Sequence, residues 1–381
     1  MNPAVEKTSG APDRRFDELQ ALRAIAAGMV VLEHALLTWS AKVGTLADSG
    51  ISLYDLGDFG VRLFFCISGF IIFTSAAKLM PGLFSAVNFT VRRLIRIVPL
   101  YWLATLIYAA KLALQGAPPT VQELAYSLLF IPYLDQTGLM RPILGAGWTL
   151  NFEMFFYAVL ALSLFLDRRL RLPVVSAAML ALLTSRASGV FGPQDNLLGN
   201  ALFLLAESYL LFFVAGMVIG YSIKAKIWAL FARIAAPLTL WILLLLALGG
   251  PIAIHFLAPS HTVLIAMQLT LCTFCVLLCV HCRANPSQAK PSLFQRAIVL
   301  AGDGSYSTYL THGFVMGPAA RVVSALQLGI SPWLFSIAMV LVCTAVGMGL
   351  YRYFEHPLLA DLNERWRKGS LGWRPKPGLA R

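Results

Sequence analysis

Ten stretches of about 20 mostly apolar residues run through the 381-residue chain, each long enough to carry a helix across a bilayer. They cover residues 19–38, 59–77, 97–114, 146–166, 172–188, 201–222, 234–256, 261–282, 297–320 and 333–353. Pro/Gly-containing or charged segments separate them, among them Gly116–Pro119, Gly249–Pro251 and Arg283–Pro291. A backbone in hydrocarbon must satisfy its own hydrogen bonds, and the chain lacks the alternating apolar and polar strands of a membrane barrel, so the spans are read as helices. A content of 58% hydrophobic and 13% charged residues, with mean hydropathy +0.73, excludes an ordinary soluble enzyme and a disordered chain. The expected fold class is all-α: a polytopic integral membrane protein of about ten transmembrane helices. The absence of an evident internal repeat disfavours inverted-repeat transporters. The first run carries Arg23, Glu33 and His34 without a small-residue cleavage site, so it reads as a retained span and not a signal peptide.

Charge orients these spans. Cytoplasmic loops concentrate Lys and Arg. With the N-terminus inside, the inner segments hold 23 of the 30 basic residues, and the outer segments and flanking span ends hold six: Lys42, Arg62, Lys111, Arg141, Arg186 and Arg321. Both termini are therefore expected in the cytoplasm, with tails 1–18 and 356–381 flanking a transmembrane domain of residues 19–355. The net charge of +12 is explained by loops facing membrane lipids, with no nucleic acid as partner.

Ionisable groups inside a bilayer cost roughly 2.5–3.5 kcal/mol each on insertion scales, which makes them functional candidates. Arg23 and His34 are 11 residues apart, three helical turns plus roughly 20°. Both project from one face, roughly 16 Å apart along the axis, and are predicted to line a channel reached from opposite sides of the membrane. Spacing alone equally allows Arg23 to snorkel to the inner interface and His34 to mark the outer one. In the fourth run, Glu153 needs a partner that Arg23, His34 or an acceptor molecule would supply; Trp148, Asn151 and Tyr157 stand beside it as candidate substrate contacts. Ser307, Tyr309 and His312 cover too wide an arc for one tight site, and Ser307 and His312 are carried as candidate substrate contacts. Ser68 and Gly69 read as close-packing residues. Cys272, Cys275, Cys279, His281 and Cys282 mimic a zinc signature, but rigid spacing along one helix cannot fold them into a tetrahedron, so no metal is expected.

The blocks Arg23-Ala-Ile-Ala-Ala through His34, Gly60 to Phe70, Arg92-Arg93-Leu94-Ile95-Arg96 through Tyr101, Gly147 to Tyr157, Gly302 to His312 and Tyr351 to Leu358 occur in this order along the chain. Together they resemble the acyltransferase-3 family of membrane O-acyltransferases. The blocks ending at Tyr157 and His312 are most similar to the branch that acetylates bacterial exopolysaccharides of the succinoglycan type. The resemblance implies an enzyme of the bacterial inner membrane. It would transfer an acyl group, most often acetyl from cytoplasmic acetyl-CoA, to a hydroxyl of a polysaccharide or its lipid-linked saccharide precursor. It further implies that Arg23 and His34 are essential and that Arg92, Arg93 and Arg96 handle the acyl-CoA donor.

Arginine binds phosphate in a fork and keeps its charge, although lipid anchoring would use the same three residues. A histidine is the natural base for a sugar hydroxyl at neutral pH, so His34, Arg23 and Glu153 are the expected catalytic set. Direct transfer and an acyl-histidine intermediate both fit. Two positions depart from the family pattern: Arg62 stands where an acid is usual, and Glu33 where an aromatic is usual. A pairing of Glu33 with Arg62 is one expectation. Rival readings are a small-molecule acceptor such as a macrolide and, outside enzymes, a proton-coupled transporter.

Overall fold

The computed structural model describes residues 17–44, 54–135, 138–193, 196–222, 260–284 and 292–369, with short pieces between 245 and 254. The described residues are all-helical, with no strand among them. Helices α1 (Asp17–Lys42), α2 (Tyr54–Ala76) and α3 (Leu83–Leu114) open the chain, followed by the short α4 (Val121–Leu128). A 3-10 turn at Gly145–Gly147 leads into α5 (Trp148–Ser163), and then come α6 (Arg168–Ala187), α7 (Leu197–Leu205) and α8 (Tyr209–Ser222). The last group is α9 (His261–Ala284), α10 (Leu293–Asp303), α11 (Ser305–Ala325), α12 (Pro332–Leu350), a π-helical turn at Tyr351–Glu355 and α13 (His356–Lys368).

Local sequence marks several of these boundaries. Thr120 with Glu123 and Ser292 with Gln295 form capping boxes that start α4 and α10. Ser331 caps α12 with Pro332 in its first turn, and Gly369, with φ 73, ends α13.

Six helices among the described residues are long and apolar enough to cross a membrane, and the α7–α8 pair, bent by 68°, adds a seventh by the same test. The remaining expected spans differ for physical reasons. Residues 234–256 lie mostly outside the described residues. The fourth span is α5, at 16 residues shorter than a full crossing. The ninth breaks at Gly304 into α10 and α11, and α11 is diluted by inward polar groups. The third begins 14 residues earlier than hydropathy indicates, because Arg92, Arg93 and Arg96 lie inside a 32-residue helix. The tenth runs through the π turn into α13, so residues 356–368 of the expected tail are helical; there the Trp366 indole donates to Asn88 on α3 at 3.0 Å.

Helix α1 runs through the centre, packed against α2, α9, α10, α11 and α12. Its Leu22, Ala26 and Met29 join Phe59, Phe70, Phe152, Phe156 and Phe213 in one continuous core. Leu106 and Ile107 on α3 and Ile337 and Leu341 on α12 instead face outward, as lipid contact requires. Helices α2 and α8 cross with their backbones in close contact. A Cβ on Gly69 would stand 2.3 Å from the Phe213 carbonyl oxygen, and one on Gly216 would stand 2.1 Å from that of Cys66. In lipid, helix association relies on such close backbone contact.

The inter-helix loop after α2 is held by arginine. Arg171 is fully buried, and its Nη1 donates to the carbonyls of Ala76 at 2.7 Å and Leu79 at 2.9 Å, satisfying the end of α2. Substituting Gly216→Leu is expected to destabilise the protein by about 1–3 kcal/mol, as overpacking does, and thermal unfolding of the detergent-solubilised protein would measure it. An unchanged melting temperature would mean that α2 and α8 do not cross this closely.

Candidate active site

The single channel expected between Arg23 and His34 resolves into two cavities along α1. The first, about 260 Å³, is lined by Arg23, Arg93, Arg96, Glu153, Tyr157 and Tyr309, among others. The second, about 770 Å³, is lined by His34, Tyr108, Tyr133, Arg141 and Trp148, with the chain between Ala117 and Ala146 forming much of its wall. Both α1 groups thus face cavities, as their spacing implies, but the cavities are separate and form no single channel.

The arginine cavity gathers three guanidinium groups around one lining carboxylate. Arg93 and Arg96, one turn apart on α3, both line it, and Arg96 is exposed at its mouth. Arg93 also donates to Ser75 Oγ at 3.1 Å and lies over the Phe89 ring, yet its buried Nε has no hydrogen-bond partner among the described residues. Arg92 is not brought into this cavity: it is exposed and bonds Asn88 on its own helix at 3.1 Å. Arg23 contacts Gln20 Oε1 at 3.3 Å. Glu153 accepts the Tyr157 hydroxyl at 2.5 Å, one turn along α5. Glu153 thus belongs with Arg23 and the α3 arginines, and not with Trp148 and His34 in the second cavity.

Behind this cavity stands a carboxylate that the sequence reading did not single out. Glu355, 4% exposed, accepts the Ser307 hydroxyl at 2.5 Å and lies within electrostatic reach of Arg96 and Arg23. It is the last residue of the π turn, and the extra residue of such a turn re-aims a side chain, often at a functional site. Ser307 is accordingly a partner of Glu355 and lines neither cavity. Asn151, also buried, lines neither.

In the second cavity His34 does not act alone. Its Nδ1 is 2.7 Å from His312 Nε2, with the rings within 19° of parallel and 278 residues apart in sequence. His312 Nδ1 is in turn 2.6 Å from the Tyr309 carbonyl oxygen. A carbonyl only accepts, so His312 Nδ1 carries a proton, and in the neutral ring Nε2 is then the acceptor. His34 Nδ1 must donate to it, which leaves the His34 Nε2 lone pair as the basic atom. An oriented base whose orienter is itself held by a third group has the logic of a catalytic triad.

The wall between the cavities is thin. Thr149 and Tyr309 both line the arginine side and hydrogen-bond to each other at 2.9 Å, while Trp148 and Ala146 line the histidine side. Phe64 packs edge-on against Tyr309.

The remaining expectations sort differently. Arg62 pairs with Asp58, one turn away at 2.5 Å, and bonds Ser208 at 3.1 Å, while Asp58 accepts from Tyr209 at 2.7 Å. The expected Glu33 pairing is thus replaced, and Glu33 packs its carboxyl over Gly57. Ser68 lines the arginine cavity, whereas Gly69 serves packing. Cys272, Cys275 and Cys279 are buried thiols in the core, and the Cys282 side chain lies outside the described ones.

Removing the hydroxyl with Ser307→Ala should cost about 1.5–3 kcal/mol, the range for a bond to a charged group. Glu355→Gln, whose amide oxygen still accepts, should cost less. Thermal unfolding of the two variants compares them, and an equal loss in both would mean that the hydroxyl does not carry the contact.

Residues 16–352 match the acyltransferase domain family. Over 315 residues, spanning 80% of this chain and 90% of the relative, the chain is 36% identical to the exopolysaccharide production protein ExoZ of Rhizobium meliloti (strain 1021). No solved structure matches the chain. The resemblance carried by the sequence blocks is thereby borne out, and the protein is a multi-pass membrane protein belonging to the acyltransferase-3 family.

Proposed function

We propose that this acyltransferase moves an acetyl group from cytoplasmic acetyl-CoA to a hydroxyl of a bacterial exopolysaccharide or its lipid-linked precursor. In this reading it resides in the inner membrane with about ten spans and both termini in the cytoplasm. The observation that carries the proposal is the division of labour along α1, with arginines around one cavity and an oriented histidine in the other.

The arginine cavity suits the donor. Coenzyme A is polyanionic, and Arg96 at the mouth with Arg93 behind it offers forked donors to phosphate. The Arg93 Nε without a partner is an acceptor deficit that a phosphate oxygen would fill. A cavity of about 260 Å³ is too small for the nucleotide and admits a slender pantetheine arm. To reach His34 the thioester must pass the wall at Thr149 and Tyr309, whose mutual hydrogen bond has a net worth of about 1 kcal/mol.

The histidine cavity suits the acceptor. Trp148 and Tyr108 offer aromatic faces to a sugar ring, and its volume of about 770 Å³ accommodates a saccharide. The acceptor hydroxyl gives its proton to His34 Nε2 as its oxygen attacks the thioester carbonyl. The tetrahedral oxyanion then collapses and breaks the C–S bond. The CoA sulfur leaves with the proton from His34, so ester and free thiol form with the base regenerated. His312 holds the tautomer and shares the transient positive charge through the Nδ1–H bond.

The direct test follows labelled acetyl from acetyl-CoA to polysaccharide in membranes containing the protein; no transfer to any saccharide would reject the proposal. His34→Ala should lower kcat about 10²–10⁴-fold, the usual value of a general base, with acetyl-CoA binding retained. His312→Phe should lower kcat about 10–100-fold, as loss of an orienting partner does, with little change in KM for the acceptor. A raised acceptor KM at unchanged kcat would instead make His312 a substrate contact.

On the donor side, Arg93→Ala and Arg96→Ala should each raise KM for acetyl-CoA about tenfold or more, the loss of one charge-assisted phosphate contact, while Arg92→Ala should change it far less. Equal effects of all three would point to general membrane anchoring.

A further inference from the structure

We infer that the mouth of the histidine cavity is an anion subsite, and that the acceptor saccharide carries a carboxylate or phosphate group near the hydroxyl it presents to His34. The inference rests on the proposed reaction and names the chemical class of its acceptor.

It begins from an imbalance in the outer segments. Those segments are poor in cations, holding only Lys42, Arg62, Lys111, Arg141, Arg186 and Arg321. Two are neutralised inside the protein, Arg62 by Asp58 at 2.5 Å and Arg186 by Glu207 at 2.7 Å. The other four make no ion pair among the described residues, and they gather at the outer ends of α1, α3 and α11 and on the loop before α5.

Arg141 lines the cavity itself and lies within electrostatic reach of His34. Lys111 sits over the ring of Tyr108 at 4.7 Å, and Tyr108 and Leu112 are both lining residues. Lys42 ends α1 two turns beyond His34, and a Cβ on Gly317 of α11 would stand 3.6 Å from its Nζ. Arg321 lies one turn further along α11, and Arg321 and Lys111 are each within electrostatic range of Lys42.

Among the described residues, the acids lining the same cavity make no ion pair with these cations. Glu123 accepts the backbone N–H of Thr120 at 2.7 Å and its hydroxyl at 2.8 Å, closing the α4 capping box. Asp135 accepts the Leu139 N–H at 3.1 Å within its own turn. Like charges held together repel, and an anion on the ligand relieves that repulsion. Arg141 shares its cavity with the base and with Tyr108, Tyr133 and Trp148, so the anion that it meets travels with the sugar. Two sources share this chemistry: an acidic substituent on the saccharide, or the phosphate of a lipid carrier attached to it.

The test uses the full chain in nanodiscs of zwitterionic lipid, with binding measured by calorimetry. Three probes are compared: a short oligogalacturonate, the same oligomer with its carboxyls reduced to alcohols, and inorganic pyrophosphate. The uronate or the pyrophosphate should bind, whichever matches the natural source, and binding should weaken as salt is raised. Arg141→Gln and Arg321→Gln should each weaken it about fivefold, the upper range for an exposed ion pair, and Arg141→Lys should recover part of the loss.

Three results would overturn the subsite: equal binding of the neutral oligomer, failure of both anions, or binding unchanged in the Arg141→Gln, Arg321→Gln double variant. It would also be overturned if only anionic phospholipid added to the nanodisc responded to the two substitutions. Acetyl-CoA binding measured on the same samples separates the two readings. Its loss with uronate or pyrophosphate binding intact would reject the proposed reaction and leave the anion subsite standing.

Discussion

A guanidinium and an imidazole on one central helix must find polar partners inside the protein, because hydrocarbon offers none. That demand organises the helices around α1. Arg23 bonds Gln20 on its own helix and lies within electrostatic range of the lining carboxylate Glu153 and of Glu355 behind it, which places α5 and the end of α12 at the same level of α1. Three turns along, His34 is met by His312, which fixes the approach of α11. The apolar core of Leu22, Ala26, Met29 and the phenylalanines then fills the space between these polar levels. Packing supplies the bulk of the contact, while the polar pairs select which faces of α5, α11 and α12 turn inward.

Departures from regular helix cluster where those faces must be re-aimed. The chain breaks at Gly304 between α10 and α11, at the level where α10 crosses α1 so closely that a Cβ on Gly302 would stand 1.9 Å from the Gln20 carbonyl oxygen. The π turn at Tyr351–Glu355 rotates Glu355 inward to Ser307, and a 3-10 turn delivers Trp148 and Thr149 to opposite sides of the cavity wall. A straight helix presents side chains at fixed angles, so such breaks are the means by which a bundle sets reactive groups out of ordinary register.

Much of this was legible in the sequence, and the rest was hidden for definable reasons. Hydropathy located the helices because each span must be apolar. It misjudged the start of α3 because a window stops at arginines, and these arginines continue the helix as the wall of a cavity. Periodicity put Arg23 and His34 on one face, but no periodicity links His34 to a residue 278 positions away. The Asp58–Arg62 pair, at i and i+4 on one helix, was open to local reasoning, which instead looked across the loop to Glu33. Glu355 lay within a recognised block of sequence, yet its role depends on a π turn that no apolar pattern announces. Arg92 and Arg93 are adjacent in sequence and diverge in structure because neighbours on a helix point about 100° apart.

The partition between the cavities follows from the same physics. A continuous polar passage lined by arginine at one end and histidine at the other would let water and ions cross the membrane. A wall of Trp148, Thr149, Phe64 and Tyr309 removes that continuity, with one hydrogen bond between its two polar members. For the proposed reaction the wall has a second consequence. Hydrolysis of a thioester needs water beside an activated base, and the wall keeps the donor cavity away from His34 until the arm passes it. The acceptor hydroxyl then meets the thioester where His34 Nε2 is free to take its proton. Were the proposed reaction to join a donor from one side of the membrane to an acceptor on the other, the site would have to be closed to solvent and open to one slender group, and the wall around the Thr149–Tyr309 bond would serve both requirements.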